Sequence, residues 1–175
     1  VSYFFNGGIE TPFPGEERQL VPSQKVATYD LAPEMSAAGI TDTLTAAIAR
    51  KEHDFLLCNY ANADMVGHTG VQRAIITAVE TIDRSLTRVL AAAEQAGATV
   101  LITADHGNCE MMIDPVSGGP HTAHTTNPVP FVLVGDGTPT FRAGGALCDV
   151  GPTILGLLGL EQPPEMTGRD LRLPQ

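Results

Sequence analysis

The apolar positions change their spacing along the chain. Met35 to Arg50 is Ala-rich, with Ile40, Leu44 and Ile48 four apart, which predicts one face of a helix. Asp54-Phe-Leu-Leu-Cys-Asn59 is a short continuous apolar run, the pattern of a strand buried on both faces. From Val71 to Gln95, Ile75, Val79, Ile82, Leu86 and Val89 fall on one face of a long amphipathic helix, and Gly97 ends it. Thr99-Val-Leu-Ile-Thr103 and Phe131-Val-Leu-Val134 predict two more buried strands. Asp149 is expected to cap a last helix, with Pro152 in its first turn and Ile154, Leu155, Leu157 and Leu158 in its apolar part. Residues 1–35 are rich in Pro, Gly and charge, with a turn at Asn6-Gly-Gly8 and a loop at Pro12-Phe-Pro-Gly15. Val1-Ser-Tyr-Phe-Phe5 reads as a strand already under way, with no initiator Met before it, so a fragment is expected.

Strands alternating with helices predict an α/β fold with a parallel sheet. Such sheets hold ligands beyond the carboxyl ends of their strands. Two polar motifs fall there: Asn62-Ala-Asp64-Met-Val-Gly-His68, expected in a loop, and Thr103-Ala-Asp105-His106-Gly-Asn108. A third, His121-Thr-Ala-His124-Thr-Thr-Asn127, precedes its strand and must fold back over the sheet edge.

These motifs carry the chemistry. Asp64 and His68 are four apart, so one helical turn lets both face a single ion, and His124 completes a set of three. Three protein ligands leave positions open for water or substrate. Asp105 and His106 are adjacent and would serve a second ion, with Gly107 easing the kink this needs. Mixed carboxylate and imidazole donors suit Mn2+ or Zn2+ better than Ca2+. Any one motif alone is ordinary: a solvated helix face, a turn, a loop histidine. Together they read as most of a two-metal site of the kind that clamps phosphoryl groups. Asn62, Asn108 and Asn127 stand beside ligands, either hydrogen-bonding to them or forming turns. Tyr29-Asp30 and Asn6-Gly-Gly8 are further candidates to line the site, with ordinary turn roles as the plainer reading. His53, among Lys51, Glu52 and Asp54, reads as surface.

Composition narrows the function. The 175 residues suffice for one domain with a core, and 43% hydrophobic with 17% charged residues is an ordinary soluble balance. A net charge of -10 argues against nucleic acid. Bound divalent cations can reverse that field locally, so a phosphorylated substrate is still compatible. No run is long enough to span a membrane. Cys58, Cys109 and Cys148 form no CxxC pattern and read as reduced thiols of a cytoplasmic protein.

Across nearly its whole length the chain resembles the C-terminal part of the cofactor-independent phosphoglycerate mutases, within the wider alkaline phosphatase superfamily. The resemblance rests on Tyr3-Phe-Phe-Asn-Gly-Gly8, Lys25-Val-Ala-Thr-Tyr-Asp30, Pro33-Glu-Met-Ser-Ala37, the three ligand motifs through Pro130, Asp149-Val-Gly-Pro-Thr-Ile-Leu155 and Met166-Thr-Gly168. It implies a three-layer α/β sandwich with a largely parallel sheet, of which residues 1–175 are the C-terminal portion. It implies interconversion of 3-phosphoglycerate and 2-phosphoglycerate in glycolysis, through a phosphoserine on a dimetal site. By resemblance, Asp64, His68 and His124 bind one Mn2+, and Asp105 and His106 supply two ligands of the other; Zn2+ or Co2+ would also fit.

In the family, a Ser nucleophile, its partner Asp and an inserted substrate-binding domain come from an N-terminal part. Ser2, Ser23, Ser36, Ser85 and Ser117 do not match that nucleophile, so no catalytic residue is assigned and the substrate-binding residues are unknown. The isolated chain is expected to lack mutase activity and, with a sheet edge uncovered, to self-associate. The alternatives are a stand-alone metal-dependent phosphatase using metal-bound water and a non-catalytic metal-binding module.

Overall fold

The computed structural model describes residues 2–135, 137 and 140–173. In chain order they form α1 (Ser2–Phe5), a 3-10 turn (Tyr29–Leu31), α2 (Ala37–Arg50), α3 (Asn62–Gly67), α4 (Gln72–Ala96), β1 (Val100–Thr103), β2 (Phe131–Val134), a 3-10 turn (Leu147–Asp149) and α5 (Val150–Leu158).

The helices follow the apolar pattern, with a shift of face. Helix α4 ends where Gly97 takes φ 71°, a left-handed conformation that costs glycine little. Its buried positions are Ala74, Ile75, Ala78, Thr81, Ser85, Val89 and Ala93. Mostly small side chains therefore line the face on which α2 and α3 pack, and α2 buries Ala37, Thr41 and Ile48 in turn. The predicted stripe is rotated: Val79 is 46% exposed. Two hydroxyls on these inner faces are satisfied within their own helix. Thr41 Oγ1 donates to the Ala37 carbonyl and Thr81 Oγ1 to that of Thr77, each at 2.7 Å.

The strands depart from expectation. The described residues hold no parallel sheet, only β1 and β2 paired antiparallel, from Val100 opposite Val134 to Thr103 opposite Phe131. A parallel neighbour needs a crossover, usually helical, and the described chain between these strands forms no helix. Residues 54–59 form no strand. They stay without a pairing partner, with Phe55 and Leu57 exposed, and Phe55 stacks on Phe5 at 5.7 Å between ring centroids. Burial on both faces fails in β2 as well, where Val132 and Val134 are exposed. Apolar strands bury two faces only when neighbouring layers cover both.

The chain start differs too. Ser2–Phe5 form a helical turn instead of a strand, and Gly7 and Gly8, both at positive φ, turn the chain away from it. Val1 of that predicted strand lies outside the described residues.

Near the other end, Asp149 stands at the start of α5, but its carboxylate makes no cap bond to the helix. It accepts instead from the backbone N–H groups of Ala146 (2.9 Å) and Arg169 (2.8 Å), fastening the tail to the turn before α5. Both bonds favour the charged form, that of Arg169 foremost, and hold its pKa below the usual carboxylate range. No helix among the described residues is long and apolar enough to cross a membrane.

Candidate metal centre

The site is built on α3. Asn62 is almost wholly buried, and its amide donates to the carbonyls of Pro33 (2.9 Å) and Glu34 (2.8 Å), anchoring the helix start. The first motif is therefore a short helix where a loop was expected. Val66 faces inward, fully buried with Ala74, Ile75 and Ala78 and flanked by Tyr29, Met35, Cys109 and Met112. Asp64 is half-buried, and His68 follows one turn later, its N–H donating to the Asp64 carbonyl at 3.1 Å.

His124 arrives from a segment far along the chain. Its Nε2 lies 3.0 Å from Asp64 Oδ1 and 3.0 Å from His68 Nε2, and His68 Nε2 lies 3.1 Å from Asp64 Oδ1. Three donor atoms thus form a nearly equilateral triangle. Among the described residues these are the only His, Cys, Asp and Glu side chains that converge in a group of three or more. One carboxylate and two imidazoles at this spacing fit a divalent ion bound on an open face.

The hydrogen bonds also set a tautomer. His68 Nδ1 lies 2.7 Å from the Thr122 carbonyl, which only accepts, so Nδ1 carries the proton. In the neutral ring, Nε2 then turns a lone pair toward the cluster, the form a metal requires.

Asp105 and His106 stand beside this triangle. The His106 ring stacks on that of His124 with centroids 3.7 Å apart. His106 Nε2 lies 3.7 Å from Asp105 Oδ1, and the Asp105 side chain is 84% exposed. The pair is adjacent to the cluster without joining it. His121 is not drawn in either: its backbone N–H donates to Met112, and its buried Nδ1 has no hydrogen-bond partner among the described residues.

Of the three asparagines, Asn108 touches the triangle. Its Nδ2 donates to Asp64 Oδ1 at 2.8 Å. It also packs on Gly67, where any Cβ would collide with the Asn108 side chain, so the helix end needs glycine there. Asn127 donates instead to Glu110 Oε1 at 3.0 Å. Glu110 was absent from the sequence-based candidates. It lies two residues past the end of the second motif, an acid five residues after Asp105.

The Cys109 thiol donates to the Ala63 carbonyl, and burial first, then Glu110 and Asp64, pushes its pKa up to about 11. It is a packing residue, not a reactive thiol. Neither Tyr29-Asp30 nor Asn6-Gly-Gly8 joins the triangle. Tyr29 packs against the core beneath it, and Asn6 bonds to Glu16.

Comparison with known proteins bears on this geometry. Residues 1–162 match the Metalloenzyme superfamily. The chain is 59% identical over 171 residues to the 2,3-bisphosphoglycerate-independent phosphoglycerate mutase of Rhodopseudomonas palustris, a match covering 98% of this chain and 34% of that protein. It is 57% identical over 171 residues to the protein of the same name from Vibrio vulnificus, again over 98% of this chain and 34% of the relative. The fold superposes on a crystal structure of Leishmania mexicana phosphoglycerate mutase at low cobalt concentration, with TM-score 0.89 and 32% identity, over 99% of this chain and 35% of that one. The chain spans about a third of the length of the curated relatives it matches.

Proposed function

This chain belongs to the Metalloenzyme superfamily, and from that premise we propose that it is the C-terminal, metal-binding third of a cofactor-independent phosphoglycerate mutase. The complete enzyme interconverts 3-phosphoglycerate and 2-phosphoglycerate in glycolysis, in the cytoplasm. The convergence of Asp64, His68 and His124 on one point carries the reading. The similarity to the named mutases supports the choice of reaction.

In this reading Asp64, His68 and His124 hold one divalent ion, with Mn2+ first and Zn2+ or Co2+ compatible. Asp105 and His106 are two ligands of a second. When bound, the ions supply Lewis-acid charge that neutralises phosphoryl oxygens and activates a hydroxyl. This chain's residues bind and orient. Asn108 fixes the Asp64 carboxylate, and the Thr122 carbonyl fixes the His68 tautomer. The serine nucleophile and the substrate-holding domain belong to the remainder of the enzyme. That remainder also supplies the strands that complete a largely parallel, three-layer α/β sandwich. The exposed Phe55, Leu57, Val132 and Val134 are where it would dock, and without it the chain self-associates.

The test has two parts. Calorimetric titration of the 175-residue chain with Mn2+ is expected to show binding, lost in Asp64→Asn. A coupled enolase assay with 3-phosphoglycerate and Mn2+ is expected to show no turnover by the chain alone, and turnover once the N-terminal part is supplied. Release of inorganic phosphate by the chain alone would instead support a stand-alone phosphatase and overturn the reading.

A further inference from the structure

We propose that Glu110 is a positioning residue that clasps the second motif to the third and so holds His124 against Asp64 and His68. The proposal rests on reading those three as metal ligands. His124 lies in a segment with no helix or named strand to place it. The His121 N–H bond to Met112 and the Thr122 carbonyl bond to His68 hold that segment on one side of His124, and a second set of bonds holds it on the other. The N–H of Thr125, the next residue, donates to the Gly107 carbonyl at 2.9 Å. Glu110 Oε1 accepts from the Thr125 hydroxyl in a short bond and from Asn127 Nδ2 at 3.0 Å. Its other oxygen, Oε2, accepts from the Asn108 backbone N–H at 2.7 Å. Asn108 in turn donates its side-chain amide to Asp64 Oδ1. One carboxylate therefore links the residue that orients Asp64 to the residue that follows His124.

Two further observations fit. All three partners are donors, so only a carboxylate, an acceptor at both oxygens, satisfies them together. These bonds, with Thr125 foremost, hold the Glu110 pKa near 2 and keep the group charged. Gly107 lies against the clasp: a Cβ there would collide with Thr125 Oγ1 and Glu110 Oε1. The close approach of Thr125 and Glu110 thus accounts for the glycine of this motif.

The test is Glu110→Gln in the 175-residue chain, which turns an amide donor toward at least one of the three donors. The dissociation constant for Mn2+, measured by titration calorimetry, is expected to rise about tenfold or more, the usual cost of losing a partner behind a ligand. In the metal-free protein, imidazole nitrogen–proton spectra are expected to move for His124 and stay fixed for His53. Thr125→Val, which removes one arm at similar volume, should give a smaller change in the same direction and serves if Glu110→Gln does not fold. An affinity within about twofold of the parent together with an unmoved His124 signal would overturn the proposal. If the parent takes no Mn2+, the metal reading fails, and the metal-free spectra still decide whether Glu110 positions His124.

Discussion

The Asp64–His68–His124 triangle and the Asp105–His106 pair lie side by side and are built to different standards. Asp64, His68 and His124 meet within hydrogen-bonding distance, and each is backed by structure: Asp64 by Asn108, His68 by the Thr122 carbonyl, His124 by the Thr125–Gly107–Glu110 junction. Asp105 and His106 stand 3.7 Å apart, with Asp105 turned largely to solvent. The difference teaches where a site is self-contained. A ligand set closed by residues of one chain can be preorganised by that chain. A pair that stands outside such a cluster is left open to solvent.

The strongest way to break this contrast is Asp64→Ala. It removes the shared corner of the triangle, and Mn2+ affinity should fall by more than about 100-fold, read by calorimetry. Asn108→Ala keeps Asp64, His68 and His124 and removes the side-chain amide that bonds to Asp64 Oδ1 at 2.8 Å and to the Asp64 carbonyl at 3.4 Å. A weakening of about tenfold is expected; no change would mean that Asp64 needs no orientation. Val66→Ala tests the foundation, since Val66 is the wholly buried side chain on the inner face of α3. Losing two methyl groups there should cost about 2 kcal/mol in denaturant unfolding. Asp105→Ala should leave the affinity for the first Mn2+ within about twofold, because that carboxylate lies outside the triangle. A large loss would mean that the two sets act as one.

The smallest effect is a pH dependence. The Glu110 pKa is lowered from 4.5 to about 2, chiefly by the Thr125 hydroxyl. The folded-state value is depressed, so its contribution is fully present above pH 4.5 and is lost as pH falls toward 2. Carbon-detected NMR of the Glu110 carboxyl should titrate near the lower value. A midpoint near 4.5 would show that the clasp is not closed in solution.

Much of this was legible in the residues. Helix α4 and its glycine stop follow from spacing alone, because a helix closes its hydrogen bonds within one segment. The face it buries did not follow. The packing of α2 and α3 on α4 buries small side chains such as Ala78 and Ser85 and leaves the larger Val79 exposed, and that choice depends on the neighbours. Residues 54–59 failed for the same reason on a larger scale, since a strand is defined by a partner at its edge. In the site, i,i+4 spacing announced Asp64 and His68. Glu110 was silent, because its role lies in three contacts, two of them with residues 15 and 17 positions away.

That unpaired run also works as a clock. Residues 54–59 make no backbone hydrogen bond among the described residues, whereas the middle of α4 is fully laddered. Their amides should trade hydrogen for deuterium almost as quickly as a free peptide, while those of α4 wait for a large opening. Docking of a neighbouring strand would slow this stretch and leave α4 unchanged. The rate at which six consecutive amides pick up deuterium therefore reports, without any assay of chemistry, whether another strand has paired with this stretch.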